Sequence, residues 1–117
     1  MVEFVIALPL VLMLLFGIIQ FGTVFNHVET ITDAARVGAR KAAVSRLEAD
    51  PAGLAETAAR TSASGLDQSR LQVDVQDDTW TAGSNVTVTV SYPYTIDIFG
   101  LTVKSGELTS STTERVE

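Results

Sequence analysis

The chain has 117 residues, 46% of them hydrophobic, a net charge of −6 and no cysteine. The acidic balance argues against nucleic-acid binding through a basic surface, and the lack of cysteine excludes disulfides, thiolate nucleophiles and thiolate metal sites. The length accommodates one long helix and one small domain, and a domain of fewer than about 100 residues has little room for a deep catalytic cleft.

The first stretch, MVEFVIALPLVLMLLFGIIQFGTVF, carries no charge from Phe4 to Phe25. As a helix at ~1.5 Å per residue it spans about 33 Å, enough to cross the ~30 Å hydrocarbon layer of a bilayer. Its one charge, Glu3, stands at the very start. The run is longer than the core of a signal peptide, has no Lys or Arg before it and no A-x-A site after it, so it reads as a retained segment. The nearby basic residues Arg36, Arg40 and Lys41 all follow the span, which by the positive-inside rule would keep the C-terminal domain in the cytoplasm. A basic leader cut away just before Met1 would remove that conflict.

Pro9 falls inside the apolar helix and is expected to kink it; a role in drawing the helix from the membrane is the alternative. Gly17 and Gly22 permit close backbone approach. The apolar run ends at Asn26-His27, but the helical period continues through Val28, Ile31, Ala35, Gly38 and Ala42, with Leu47 prolonging the stripe. Ala34, Gly38 and Ala42 form one row of small residues and Ala35, Ala39 and Ala43 the next. Asp33 is placed to pair with Arg36. The expectation is one continuous helix, apolar over residues 1–25 and amphipathic over 26–48.

Asp50-Pro51 breaks the chain and starts a second helix over 51–64, with Asp50 as cap and Pro51 at the first position; Ser64-Gly65 should stop it. The period then changes to two. Leu71, Val73 and Val75 alternate with polar residues, as do Val86, Val88, Val90 and Tyr92 after the turn at residues 82–85. The expected strands cover about 70–77, 84–92 and 102–116. Pro93 ends the second strand or places it at an edge, and Phe99-Gly100 turns the chain. The reading is α+β: a long helix, a short helix and a small antiparallel sheet of about three strands in a head domain over 51–117.

A nearly uncharged N-terminal helix with a glutamate in its first turn, an amphipathic continuation and a small sheet resembles type IV pilins. Val2-Glu3-Phe4, Leu8-Pro9-Leu10, Phe21-Gly22 and Ala34-Ala35-Arg36-Val37-Gly38-Ala39-Arg40 resemble more closely the TadE-like family of the tight-adherence (Tad, Flp) pilus systems. VTVTVSYPY and the closing TTERVE are weaker echoes. The resemblance implies a prepilin, inserted in the bacterial inner membrane with its C-terminal domain outside. A prepilin peptidase cuts it, and the inner-membrane pilus assembly machinery draws the helix into an extracellular pilus of its own copies or of other pilins, supporting adhesion.

Residue chemistry agrees with that reading. A carboxylate in apolar surroundings is costly unless paired, and the α-amino group of Met1 on a neighbouring subunit would pair with Glu3. Phe4, Pro9, Leu12, Phe16, Gly17, Phe21 and Gly22 would line the membrane or filament core. Ala34, Ala35, Gly38, Ala39 and Ala42 would let the upper helices pack closely.

Other polar groups have simpler readings. His27 marks the boundary of the apolar run, since a lone histidine is a poor metal site. Asp74, Asp77 and Asp78 read as a solvated loop rather than a Ca²⁺ site, there being no EF-hand spacing. Trp80 reads as a lid on the core or as an exposed contact residue. Asn85-Val86-Thr87 and Thr109 to Thr113 read as strand, with glycosylation the minority alternative. The serines lack a G-x-S-x-G context. No enzyme activity, cofactor or metal is expected. The competing class is a permanently anchored single-pass protein with an extracytoplasmic interaction domain.

Overall fold

The computed structural model describes residues 1–77, 79–98 and 101–117; the expected turn at Phe99-Gly100 and Asp78 of the acidic group lie outside them. Helix α1 runs Val2–Ala43 without interruption, about 63 Å at the standard rise. Leucine, methionine and alanine favour the helix, Arg40 and Lys41 in its last turn complement its dipole, and Pro9 is carried inside it. Thr23 and Thr30 donate their hydroxyls to the carbonyls of Ile19 and Asn26, four residues back. Polar side chains are thereby satisfied within the helix itself.

The helix was expected to reach residue 48 but stops at Ala43. Two of its last carbonyls find other partners: the Ser45 hydroxyl donates to Lys41 O at 2.6 Å, and the backbone N–H of Glu117 donates to Ala43 O at 3.1 Å. Arg46 Nε donates to Glu117 O at 2.6 Å. The chain therefore turns at 44–49, and Leu47, instead of extending the stripe, is 85% exposed.

Helix α2, Pro51–Ser62, starts as expected, with the Asp50 carboxylate accepting from Gly53 N at 3.1 Å. It ends two residues before the predicted limit, at an Ala63 cap. Asp50→Ala removes that cap and is expected to cost about 1 kcal/mol, a fall of roughly 5 °C in the melting temperature of the head, read by circular dichroism. Arg60 binds Glu56 at 3.0 Å and donates to the carbonyls of Gln68 and Leu71 at 3.2 Å each, which ties the following loop to α2.

Strands β1 (Gln72–Asp77), β2 (Asn85–Ile98) and β3 (Leu101–Arg115) form an antiparallel sheet in the order β1-β2-β3. β2 and β3 differ from expectation in extent. β2 does not stop at Tyr92; it passes through Pro93 to Ile98. β1 pairs with β2 only as far as Gln72↔Ser91, whereas the β2–β3 ladder continues to Ile98↔Leu101. Pro93 thus lies where β2 has a neighbour on one side only, a position that tolerates a residue without an N–H. Val86, Val88, Val90 and Tyr92 face inward and are buried. The other face of β2 and β3 carries a ladder of hydroxyl pairs, Thr87–Thr113 and Thr89–Ser111 at 2.9 Å and Ser91–Thr109 at 3.4 Å.

Candidate assembly helix and its seat on the head

α1 divides into two halves with opposite surroundings. Its upper half lies on the head: Ile31, Ala34, Ala35, Gly38, Ala39, Ala42 and Ala43 are buried, in clusters with Ala55 and Ala59 of α2 and with Val86, Val88 and Val90 of β2. Both small-residue rows are thus turned onto the chain's own head rather than toward a neighbouring helix. At Gly38 the approach is closest. A Cβ there would lie 3.1 Å from Ala59 Cβ, 3.1 Å from Val88 Cγ1 and 3.2 Å from Ala55 O. Asp33 does not pair with Arg36; among the described residues the ion pair is Arg60–Glu56.

The lower half has no such cover. It contains an 18-residue window long and apolar enough to cross a membrane, none of it buried within the chain. Phe4, Leu12, Phe16 and Phe21 are exposed, as are Pro9 and Gly22, while Gly17 is half-buried. Burying a side chain such as Leu, Ile or Phe is worth about 1.5–3 kcal/mol. Phe4, Ile6, Leu10, Leu14, Ile18 and Phe21 in water therefore cost on the order of 10 kcal/mol, so this surface requires lipid or protein around it. Met1 caps its start and is fully exposed, and Glu3 is exposed in the first turn.

Where the two halves meet, a cleft of about 340 Å³ opens between Gln20, Thr23, Val24 and His27 of α1 and Arg70, Tyr92, Pro93, Tyr94 and Thr95. The His27 and Tyr92 rings meet edge to face at 5.2 Å, and the Arg70 guanidinium lies 5.7 Å from the Tyr92 ring centre. Arg70 closes a turn built on Asp67. The Asp67 carboxyl is held below its ordinary range by the Ser69 hydroxyl, then by the Ser69 amide, with Arg70 adding to the effect. Sequence reasoning placed His27 at a boundary but missed this cleft. The available signal was the inward alternation Tyr92, Tyr94, Ile96, which continues through Pro93.

At the far end of the head, Trp80 packs half-buried on the cluster formed by Ala42, Ala55, Val86 and Val116. Its backbone has φ of +52°, a strained conformation for a bulky residue. Asp77 Oδ1 holds it there by accepting from Thr79 N at 2.8 Å and Trp80 N at 2.9 Å.

The family model of TadE-like proteins matches residues 1–40. The matched residues take in the whole exposed half of α1 and the small residues as far as Ala39, and end before the head. No curated protein and no solved structure matches the chain. The matched segment coincides with the part of α1 that is long and apolar enough to cross a bilayer.

Proposed function

We propose that the chain is a structural pilin-like subunit, held in the bacterial inner membrane by the lower half of α1 and then assembled through that same helix into an extracellular Tad-type pilus that supports adhesion. The observation that carries the reading is the division of α1: the head covers the upper half and leaves the lower half bare. A surface that suits lipid also suits other copies of the same helix, so one element serves both states. Glu3, exposed in the first turn of α1, is the group we assign to pair with the α-amino group at Met1 of a neighbouring subunit, and that pairing would fix the axial step between subunits. A prepilin peptidase and the inner-membrane assembly machinery are the partners this route requires. It requires no reaction by the chain itself, and no cofactor, metal or nucleic acid.

Electron microscopy of material sheared from producing cells, with mass spectrometry of the filaments, tests the proposal. Ordered filaments containing this chain with its processed N-terminus are the expected result, and its abundance in them separates a shaft subunit from a minor or tip subunit. Recovery from membranes alone would instead identify a permanently anchored single-pass protein.

A further inference from the structure

The sheet has two edges without a neighbour. β1 and β3 each pair with β2 on one side only, and among the described residues no hydrogen bond reaches the outer backbone of either strand. A bare edge is a row of unpaired N–H and C=O groups that another strand can complete, and short length, proline or charge usually guards it. β1 is guarded in this way, being short and carrying Asp74 and Asp77. β3 is not: residues 108–113 contain neither charge nor proline, and Glu107 and Glu114 merely frame them.

The direction of the strands relative to α1 decides what can complete that edge. Val86 shares a cluster with Ala42, Val88 lies against Gly38, Tyr92 meets His27 and Thr95 shares a cleft with Gln20. From Val86 to Thr95 the strand advances about 30 Å, while from Ala42 to Gln20 the helix covers about 33 Å. β2 therefore runs antiparallel to α1 and close to its axis. β1 and β3, both antiparallel to β2, run with α1.

Copies in one membrane with their heads on the same side, or in a filament drawn from it, all point α1 the same way. An antiparallel pairing of two β3 edges would invert one helix and is closed to them. A two-fold axis along α1 keeps the helices parallel but sets each β3 group at the height of its own counterpart, N–H against N–H, which forms no ladder. Two β1 edges meet the same objections and would also bring their aspartates together. Unlike edges meet neither: β1 of one copy and β3 of the next run the same way. They also match in height and face. Gln72, Asp74 and Gln76 stand level with Thr109, Ser111 and Thr113 across β2, and all six are exposed.

We infer that the heads of neighbouring copies join edge to edge, β1 of one adding in parallel to the uncharged stretch of β3 in the next. Such a head-to-tail contact leaves a free β1 and a free β3 at its two ends, so it propagates as an open polymer. The inference deepens the pilin reading and rests on it. Because the chain lacks cysteine, it can be tested by pairing Ser111→Cys with Gln72→Cys, Asp74→Cys or Gln76→Cys in the full chain. Membranes and sheared filaments from producing cells are then oxidised with copper phenanthroline. Within one subunit β2 holds the paired positions about 10 Å apart or more, too far for a disulfide, so every cross-link joins two chains. The expected result is a ladder of multimers from one of the three double variants, absent from the single-cysteine chains, and the variant that gives it reports the axial step. Filaments that form without any such ladder would overturn the inference and leave the pilin reading standing. A dimer from Ser111→Cys alone, or its cross-link to a different protein, would overturn it in favour of that neighbour. A ladder in membranes of cells whose unmodified chain makes no filaments upholds edge pairing and removes the filament; absence of both removes the two together.

Discussion

Glu3→Ala is expected to leave the chain folded and inserted but to reduce filament mass to background, because each assembled subunit would then bury an α-ammonium group without its partner. Removing one member of a buried charge pair costs about 3–5 kcal/mol, and in a polymer that loss recurs at every subunit. Circular dichroism and membrane fractionation check that the subunit is intact, and sheared-filament yield reads assembly. Unchanged yield would rule out charge pairing at Met1 and Glu3 as the device that sets the step. Glu3→Gln separates charge from shape: it keeps the size of the side chain, so it should fail as the alanine variant does.

Gly38→Leu is expected to separate the head from α1. A Cβ alone would stand 3.1 Å from both Ala59 and Val88, and the Ala55 carbonyl on the third side is fixed in the backbone of α2. The remaining atoms of a leucine have nowhere to go unless α2 and β2 move apart. Overpacking on this scale costs about 3 kcal/mol, a large fraction of the stability of so small a head. Thermal melting in detergent micelles should show the sheet transition falling by more than 10 °C, while the helical signal of the lower half of α1 persists. Gly38→Ala adds only the tight Cβ and should fall between wild type and the leucine variant.

Much of this architecture could be read in advance because strong local signals agree with the tertiary result. The uncharged run to Phe25 has one helical reading, Asp50-Pro51 has one capping reading, and the alternation from Val86 to Tyr92 has one strand reading. The differences arise where distant residues decide. The end of α1 depends on Glu117, which reaches Ala43 across most of the chain. Pro93 leaves open whether β2 ends or runs on at an edge, and only the early end of β1, which leaves that side of β2 without a neighbour, decides for the edge. The alanine rows have the same pattern whether they meet a second subunit or the chain's own head; only the positions of Ala55, Ala59 and Val88 decide between them. Trp80 at positive φ has no sequence signal, since the turn that strains it is imposed by Asp77.

The stitching of Val116 and Glu117 to the end of α1 has a consequence for the order in which the protein acquires its shape. Val116 is 1% exposed in the cluster with Ala42 and Val86, and Glu117 secures both Ala43 and Arg46. α1 and α2 can form as each emerges from the ribosome, but the layer above Ala42 has no closing partner until residue 116 arrives. Folding of the head therefore waits for residue 116. Contacts between residues more than 70 positions apart make that event slower than helix formation, leaving an interval in which the apolar helix is complete while the sheet beside it is still unpaired.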